Sequence, residues 1–295
     1  MIKDNLISVF ISFYIPLISG YVYGKMIGRE GSKYLSKIIL NILFPILLFS
    51  SIYSRSRYSI ISSMFILTFI AIVMVIVLAI IAKIVFRENK ELIPLAFYPN
   101  SGYIPIPIAL NIWSIEGVAL VGFYVMGSNS ASNLIYPIIF SGKLKSGLRK
   151  LLFFPPLYGI VCALILIFTN FMLPEYILTP LKDMGKTAAP LALIVLGIEA
   201  SKSFKINIHT IKLIVLRSVL SPFLMVILTS LLNISGTSLQ IAFLESLMPP
   251  AVSNIILANE FGTDTEKVAN NVVLSTLFCT FIVIPLFLFL ILPML

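Results

Sequence analysis

The residues best placed to do chemistry lie in two interruptions of apolar sequence, "YPNSGYIPIP" at 98–107 and "ESLMPPAVSN" at 245–254. Proline removes a backbone donor and clashes with the preceding turn, costing about 3 kcal/mol in a helix interior. A helix broken this way leaves N–H and C=O groups in search of partners. Asn100 and Ser101 precede the first break, and Ser253 and Asn254 follow the second. Amides and hydroxyls can donate to a carboxylate, and they can equally satisfy the freed backbone. Pro105 and Pro107 belong to the first break, Pro249 and Pro250 to the second. Pro107 and Pro250 are expected in the first turn of the following half-helix, where no donor is needed. Such half-helices aim N–H groups and positive dipole ends at the break, which favours an anion. Glu245 lies four residues before Pro249, about 6 Å along a helix. A lone carboxylate at that depth is costly to keep charged, which suits proton or ion coupling. The plainer alternative is that it accepts bonds from donors freed by the breaks.

A third set lies in "GSNSASN", where Asn129 and Asn133 fall on one helix face at i, i+4. They are candidates to line a site, or to bind a neighbouring helix. Asn270 and Asn271 are read as solvated groups near a helix end, and Glu199 as an interfacial ion-pair partner of Lys202. Arg217 sits about 10 Å in depth from Glu245 by helix rise, which favours snorkelling over pairing. His209 is in a short basic loop, and Cys162 and Cys279 lie in apolar runs without metal-like spacing, so both are read as buried free thiols. Asp4, Asp183 and Asp264 fall in loops or at the termini. No paired-acid, Ser–His or zinc constellation is present, so the sequence is read as that of a non-enzyme with no metal and no cofactor.

The elements that position these residues follow from composition. The chain is 59% hydrophobic and only 11% charged, with a mean hydropathy of +1.06. Soluble domains carry about 25% charged residues, so this is an integral membrane protein. Its net charge of +9 then reads as basic loops against anionic lipid rather than nucleic-acid binding. Apolar runs predict an all-α fold of ten spans near 5–24, 35–53, 59–85, 93–113, 116–140, 151–172, 187–200, 210–232, 238–258 and 267–292. The first run contains Pro16 and lacks a small-residue cleavage site, so it reads as a retained helix. In alternate loops, Lys3, Arg55, Arg57, Lys182 and Lys186 fall on one side, and fifteen of the 21 Lys and Arg on the other. That bias predicts a multi-pass cell-membrane protein with both termini extracellular.

The chain also resembles itself. At an offset of 145, Pro45 meets Pro190, Ser101 meets Ser246, Pro105 meets Pro250, Gly117 meets Gly262 and Ser130 meets Ser275. Each pair falls in corresponding helices of a five-plus-five division, 1–145 and 146–295. Five is odd, so the second half enters the membrane from the opposite side, the pattern of an inverted repeat in secondary transporters. The two breaks occupy matching places. A single break reads equally well as a proline kink in a packed helix, but two matched breaks point to a transport site.

At these residues the chain resembles the auxin efflux carrier family, in its compact prokaryotic, PIN-like form without the long cytoplasmic loop of plant carriers. The resemblance covers essentially the whole chain. It runs through "IPLISGYVYGK", "LSKIILNILFPILLFSSI", "YPNSGYIPIPIALNIWSIEGVAL", "AAPLALIVLGIEAS" and "FLESLMPPAVSNIILANEFGTDTEKVANNVVLST". It departs at Pro105, where the family commonly has glycine. The resemblance implies ten helices in two inverted repeats, with the broken fourth and ninth crossing near the substrate. It further implies a scaffold and homodimer surface from helices 1, 2, 6 and 7, against which the others move as an elevator. The implied substrates are small organic anions, auxin-like or dicarboxylate.

The expectation is therefore secondary transport of a small organic anion by alternating access, with a proton or the membrane potential as candidate drives. Its nearest alternative is sodium-coupled uptake of the bile-acid symporter type, with Glu245, Asn100 and Ser128 as partial ligands. From other classes, a passive channel would need repeated subunits or a continuous polar pore, and a membrane sensor is also weighed. The expected partners are the anion, membrane lipid and a second copy of the chain.

Overall fold

Proline placement explains much of the helix geometry in the computed structural model of the protein, which describes residues 2–28, 30–54, 57–141, 145, 148–149, 152–201 and 205–295. Helix α1 spans Ile2–Met26, α2 Glu30–Tyr53 and α3 Arg57–Val85. A short turn leads into α4, Ile93–Phe97, and after the first break comes α5, Pro105–Ser141. There follow α6 Pro155–Phe168, α7 Glu175–Lys186, α8 Ala188–Ala200 and α9 Ile208–Leu231. The last three are α10 Gly236–Ser246, α11 Ser253–Glu260 and α12 Thr265–Met294. No strand occurs among the described residues; the one β-type contact is an isolated bridge between the two breaks.

Four prolines inside long helices share one solution. Phe44 N–H bonds the Ile39 carbonyl, Ser221 N–H bonds Leu216, Ile284 N–H bonds Cys279 and Leu292 N–H bonds Phe287. Each bond reaches five residues back rather than four, and each precedes a proline: Pro45, Pro222, Pro285 and Pro293. The widened π turn moves aside the carbonyl that the proline ring would otherwise strike. In α5 a sharp corner falls at Ser114 (φ 56°, ψ −154°), which divides it into arms 105–113 and 115–141. Helices α6, α9 and α11 stop on left-handed residues, Asn170, Asn233 and Gly262 (φ 54°, 53° and 65°). In each, a 2.9 Å bond closes the last turn: Phe171 N–H to Leu166 O, Ile234 to Thr229, and Thr263 to Ala258.

Apart from α7, the described helices overlap the segments expected from hydropathy, with the fourth and ninth divided by their breaks. Among the described residues, five stretches are long and apolar enough to cross a membrane: Glu30–Tyr53, Phe65–Val85, Pro105–Phe140, Ile208–Leu231 and Thr265–Met294. Helix α7 was not expected. Its sequence, "EYILTPLKDMGK", is too polar to register as a span, with Glu175 in its first turn and Lys186 in its last.

The chain forms two compact units, each drawn from both halves of the sequence. One comprises residues within 1–66, 102–126 and 154–201; the other, residues within 67–101, 127–153 and 202–295. The first unit gathers the segments that the resemblance assigned to a scaffold, with 102–126 added. Its helices touch through glycines. A β-carbon on Gly20 would lie 2.0 Å from the Ile194 carbonyl oxygen, and one on Gly197 would lie 2.0 Å from that of Leu17. Helices α1 and α8 therefore meet backbone to backbone, the close approach that small residues allow in lipid. Gly159 packs likewise against the Pro45 carbonyl, at 2.2 Å for the added carbon. Of the positions behind the expected orientation, Arg29, Arg55, Lys143, Lys150 and Lys202 lie outside the described residues.

Candidate functional site

Within the second unit, the two breaks meet. Tyr98–Ser101 runs antiparallel to Pro249–Ala251, bridged at Pro99 and Pro250. Neither proline has an N–H, so the flanking residues make the bonds: Asn100 N–H to the Pro249 carbonyl at 2.7 Å, and Ala251 N–H to that of Tyr98 at 2.9 Å. Prolines that could not continue a helix have become the rungs of a two-residue ladder.

Several of the freed carbonyls are met by side chains. Ser132 Oγ donates to Phe97 O at 3.3 Å. Asn254 Nδ2 donates to Tyr98 O at 3.1 Å and to Ala251 O at 2.9 Å. Along the unwound end of α10, Ser221 Oγ donates to Ser246 O at 2.8 Å, and Cys279 Sγ to Leu247 O at 3.5 Å. The Arg217 guanidinium takes Met248 O through Nε, at 2.7 Å, and through Nη2. It also reaches Ala96 O through Nη1 at 3.2 Å. In hydrocarbon each orphaned group costs several kcal/mol, and here the break is closed by donors from α5, α9, α11 and α12.

Arg217 corrects the sequence expectation. It is 3% exposed and does not snorkel. It sits on the π turn Leu216–Leu220 of α9, and Cys279 opens the corresponding turn of α12. Both widened turns thus present a donor to the second break. The depth estimate failed because it counted residues along intact helices, whereas α10 ends at Ser246 and Met248 lies in unwound backbone.

Tyr98, which sequence reasoning passed over, links several of the expected residues. Its hydroxyl donates to Asn133 Oδ1 at 3.2 Å and is also hydrogen-bonded to Ser253. Asn133 and Asn254 are buried, and Asn129 and Ser253 are half-buried. Ser101 is buried and receives a 3.4 Å contact from Ser128 Oγ. A tyrosine flanking a broken helix, facing small polar residues at 128, 132 and 133, was the available signal.

Glu245 lies in the last turn of α10 and is fully buried. Neither carboxylate oxygen has a partner in full hydrogen-bond geometry among the described residues. The polar groups that act on it are the Ser101 hydroxyl and the Arg217 charge. No freed backbone N–H among the described residues bonds it.

Other expectations are revised. Pro250 is not in the first turn of a half-helix: it stands in the extended bridge, three residues before α11 begins. Pro107 does sit in the first turn of α5, behind Pro105, in the other unit; Asn111 Nδ2 donates to its carbonyl at 2.8 Å. The N–H groups opening the half-helices are also fewer than expected. Pro105 and Pro107 have none, Ile106 N–H turns back to Gly102 O, and Asn254 and Ile255 N–H turn back to Ala251 O and Val252 O. Asn271 is buried rather than solvated, accepting from Thr210 Oγ at 2.8 Å. Asn270 pairs with both backbone groups of Lys205. Glu199 accepts from Ser32 Oγ at 2.7 Å, and its expected partner Lys202 lies outside the described residues. Cys162 is exposed, while Cys279 is buried.

Comparison with known proteins points to membrane transport. A family model described as membrane transport protein matches residues 4–146 and 139–288. An uncharacterized transporter of Methanocaldococcus jannaschii is 28% identical over 289 residues, covering 91% of this chain and 94% of its own. An uncharacterized transporter of Methanothermobacter thermautotrophicus is 26% identical over 284 residues, covering 90% and 92%.

Proposed function

This chain belongs to the auxin efflux carrier family of membrane transport proteins, and from that premise we propose that it carries a small organic anion across the membrane by alternating access. The observation that carries the reading is the bridge between the two broken segments. Irregular backbone with this many polar groups is tolerated at membrane depth only where protein or a cavity surrounds it, and transporters place their sites there. The substrate would be held by Asn100, Ser101, Asn129, Asn133, Ser253 and Asn254 around Pro249 and Pro250, all in the second unit. Glu245 would carry the coupling proton, or else the membrane potential supplies the drive. Ten spans, inverted repeats at 1–145 and 146–295, outward-facing termini and a homodimer complete the proposal, with the second unit as the moving body.

Proteoliposome uptake of radiolabelled monocarboxylates and dicarboxylates, under imposed pH gradients and potentials, tests it. Saturable uptake driven by the pH gradient in the wild type, and indifferent to it in Glu245→Gln, is the expected result. Potential-driven uptake that survives the substitution would remove Glu245 from coupling and leave a uniporter. Failure of every carboxylate to be transported would overturn the substrate class.

A further inference from the structure

We infer that Arg217 is a resident cation of the crossing breaks, holding by covalent attachment the position where a transporter of this kind would otherwise need an inorganic coupling ion. Ala96 lies at the C-terminal end of α4, and Met248 just beyond that of α10. These are the negative ends of two half-helices, and their oxygens point into one buried spot. Unwound carbonyls and half-helix C-termini are what a sodium ion or proton is coordinated by in secondary transporters. Here the occupant is a guanidinium, donating through Nε, Nη1 and Nη2 to those two oxygens. One carboxyl group, that of Glu245, is fully buried and is acted on by the same positive charge. Oxygen donors, one buried carboxyl group and exclusion from solvent describe a hard-cation site, filled from α9.

Local sequence explains how the side chain arrives. Pro222 imposes the π turn at Leu216–Leu220, and that widened turn carries Arg217 into the second unit's interior. Ser221, at the other end of the turn, secures it by donating to Ser246 O. Arginine suits the place because its planar fork reaches two carbonyls at once and stays charged when buried. With its donors committed to backbone oxygens, Arg217 acts as a positioning residue for the break. The inference rests on the transporter reading for its meaning in the cycle, and it leaves a proton or the potential, but not sodium or potassium, to drive transport.

The test is thermal unfolding of the full chain in detergent without substrate, in choline, sodium and potassium chloride at equal ionic strength. The wild type is expected to melt at one temperature in all three. Arg217→Ala is expected to melt several degrees lower in choline and to recover, saturably, on adding millimolar methylguanidinium, sodium or potassium. A wild-type melt raised specifically by sodium or potassium overturns the inference. So does an Arg217→Ala protein that is as stable as the wild type and indifferent to every cation. If the alanine variant does not fold in any salt, Arg217→Lys carries the test. It retains the charge, and its melt is expected to be lowered yet flat across the three salts; a rise with sodium or potassium overturns the inference. Because no substrate is present, this result stands or falls separately from anion transport.

Discussion

Asn254→Ala separates a residue that contacts substrate from one that only builds the break. Asn254 Nδ2 makes two hydrogen bonds, to Tyr98 O and Ala251 O. Losing them costs about 1 kcal/mol each, and the vacated space costs on the order of half a kcal/mol more. Neither carbonyl becomes an orphan, since Tyr98 O keeps Ala251 N–H and Ala251 O keeps Asn254 N–H. On the other side, Oδ1 of this buried amide has no partner among the described residues, and deleting an unsatisfied acceptor recovers about 1–3 kcal/mol. The terms nearly cancel, so the melting temperature of Asn254→Ala is expected within a few degrees of the wild type. Transport should respond differently. With both amide protons committed, the group Asn254 offers is an acceptor, which suits a hydroxyl or N–H beside the substrate's carboxylate. One neutral hydrogen bond is worth about 0.5–1.5 kcal/mol, or roughly two- to tenfold in affinity. The assay is a pair of half-saturation measurements in proteoliposomes, on a hydroxycarboxylate and its deoxy analogue. Asn254→Ala is expected to weaken the first by that factor and leave the second unchanged. A melt lowered by ten degrees or more, with both substrates impaired in parallel, would refute the reasoning and make Asn254 a structural clamp.

Two sets of substitutions probe the surrounding framework. Gly20→Ala or Gly197→Ala must move α1 and α8 apart by at least about 1 Å, because an added β-carbon would sit 2.0 Å from a backbone oxygen where real contacts stay beyond 3.0 Å. Overpacking costs about 1–3 kcal/mol against a helix-propensity gain of about 1. Both should melt lower, while Gly31→Ala, whose added carbon meets nothing nearer than 3.9 Å, should be neutral or slightly stabilised; equal melts for all three would mean the close contact is absent. Tyr98→Phe removes the donor to Asn133 Oδ1 and the partner of Ser253, leaving a buried acceptor unmet at about 1–3 kcal/mol. A lower melt is expected, partly restored in Tyr98→Phe/Asn133→Leu; no restoration would place the hydroxyl's role elsewhere.

What could be read in the sequence was what is covalent. The breaks were visible because proline deletes an N–H whatever surrounds it, and Glu245 because a carboxylate in an apolar run is conspicuous without a structure. The resemblance implied that the two breaks meet, but the pairing of Pro99 with Pro250 was not legible, since it depends on the register in which the extended pieces come together. Nor was the place of Arg217. Residue counting assumed 1.5 Å per residue through segments that are in fact unwound or widened, so two groups estimated far apart share one environment. A signal was present in the proline at position 222: Pro45, Pro222, Pro285 and Pro293 each follow a π turn, and a polar side chain on such a turn is a candidate to face inward. Helix α7 escaped because its charges, spaced along a short helix, look like a loop to a hydropathy count.

The same prolines constrain how an anion could be bound at all. In the second unit, Pro99, Pro249 and Pro250 each contribute a carbonyl and no N–H. A break built from them is rich in acceptors, and an acceptor-rich cavity repels a carboxylate. The donors recruited from surrounding helices, Ser132, Ser221, Asn254, Cys279 and above all Arg217, first neutralise that surplus. Only donors left over can serve the substrate. Structural closure of the break and anion binding therefore draw on one pool of donors, so removing a donor from the crossing should usually damage folding and transport together. Asn254 is the informative exception, because its own unmet acceptor nearly cancels the structural loss.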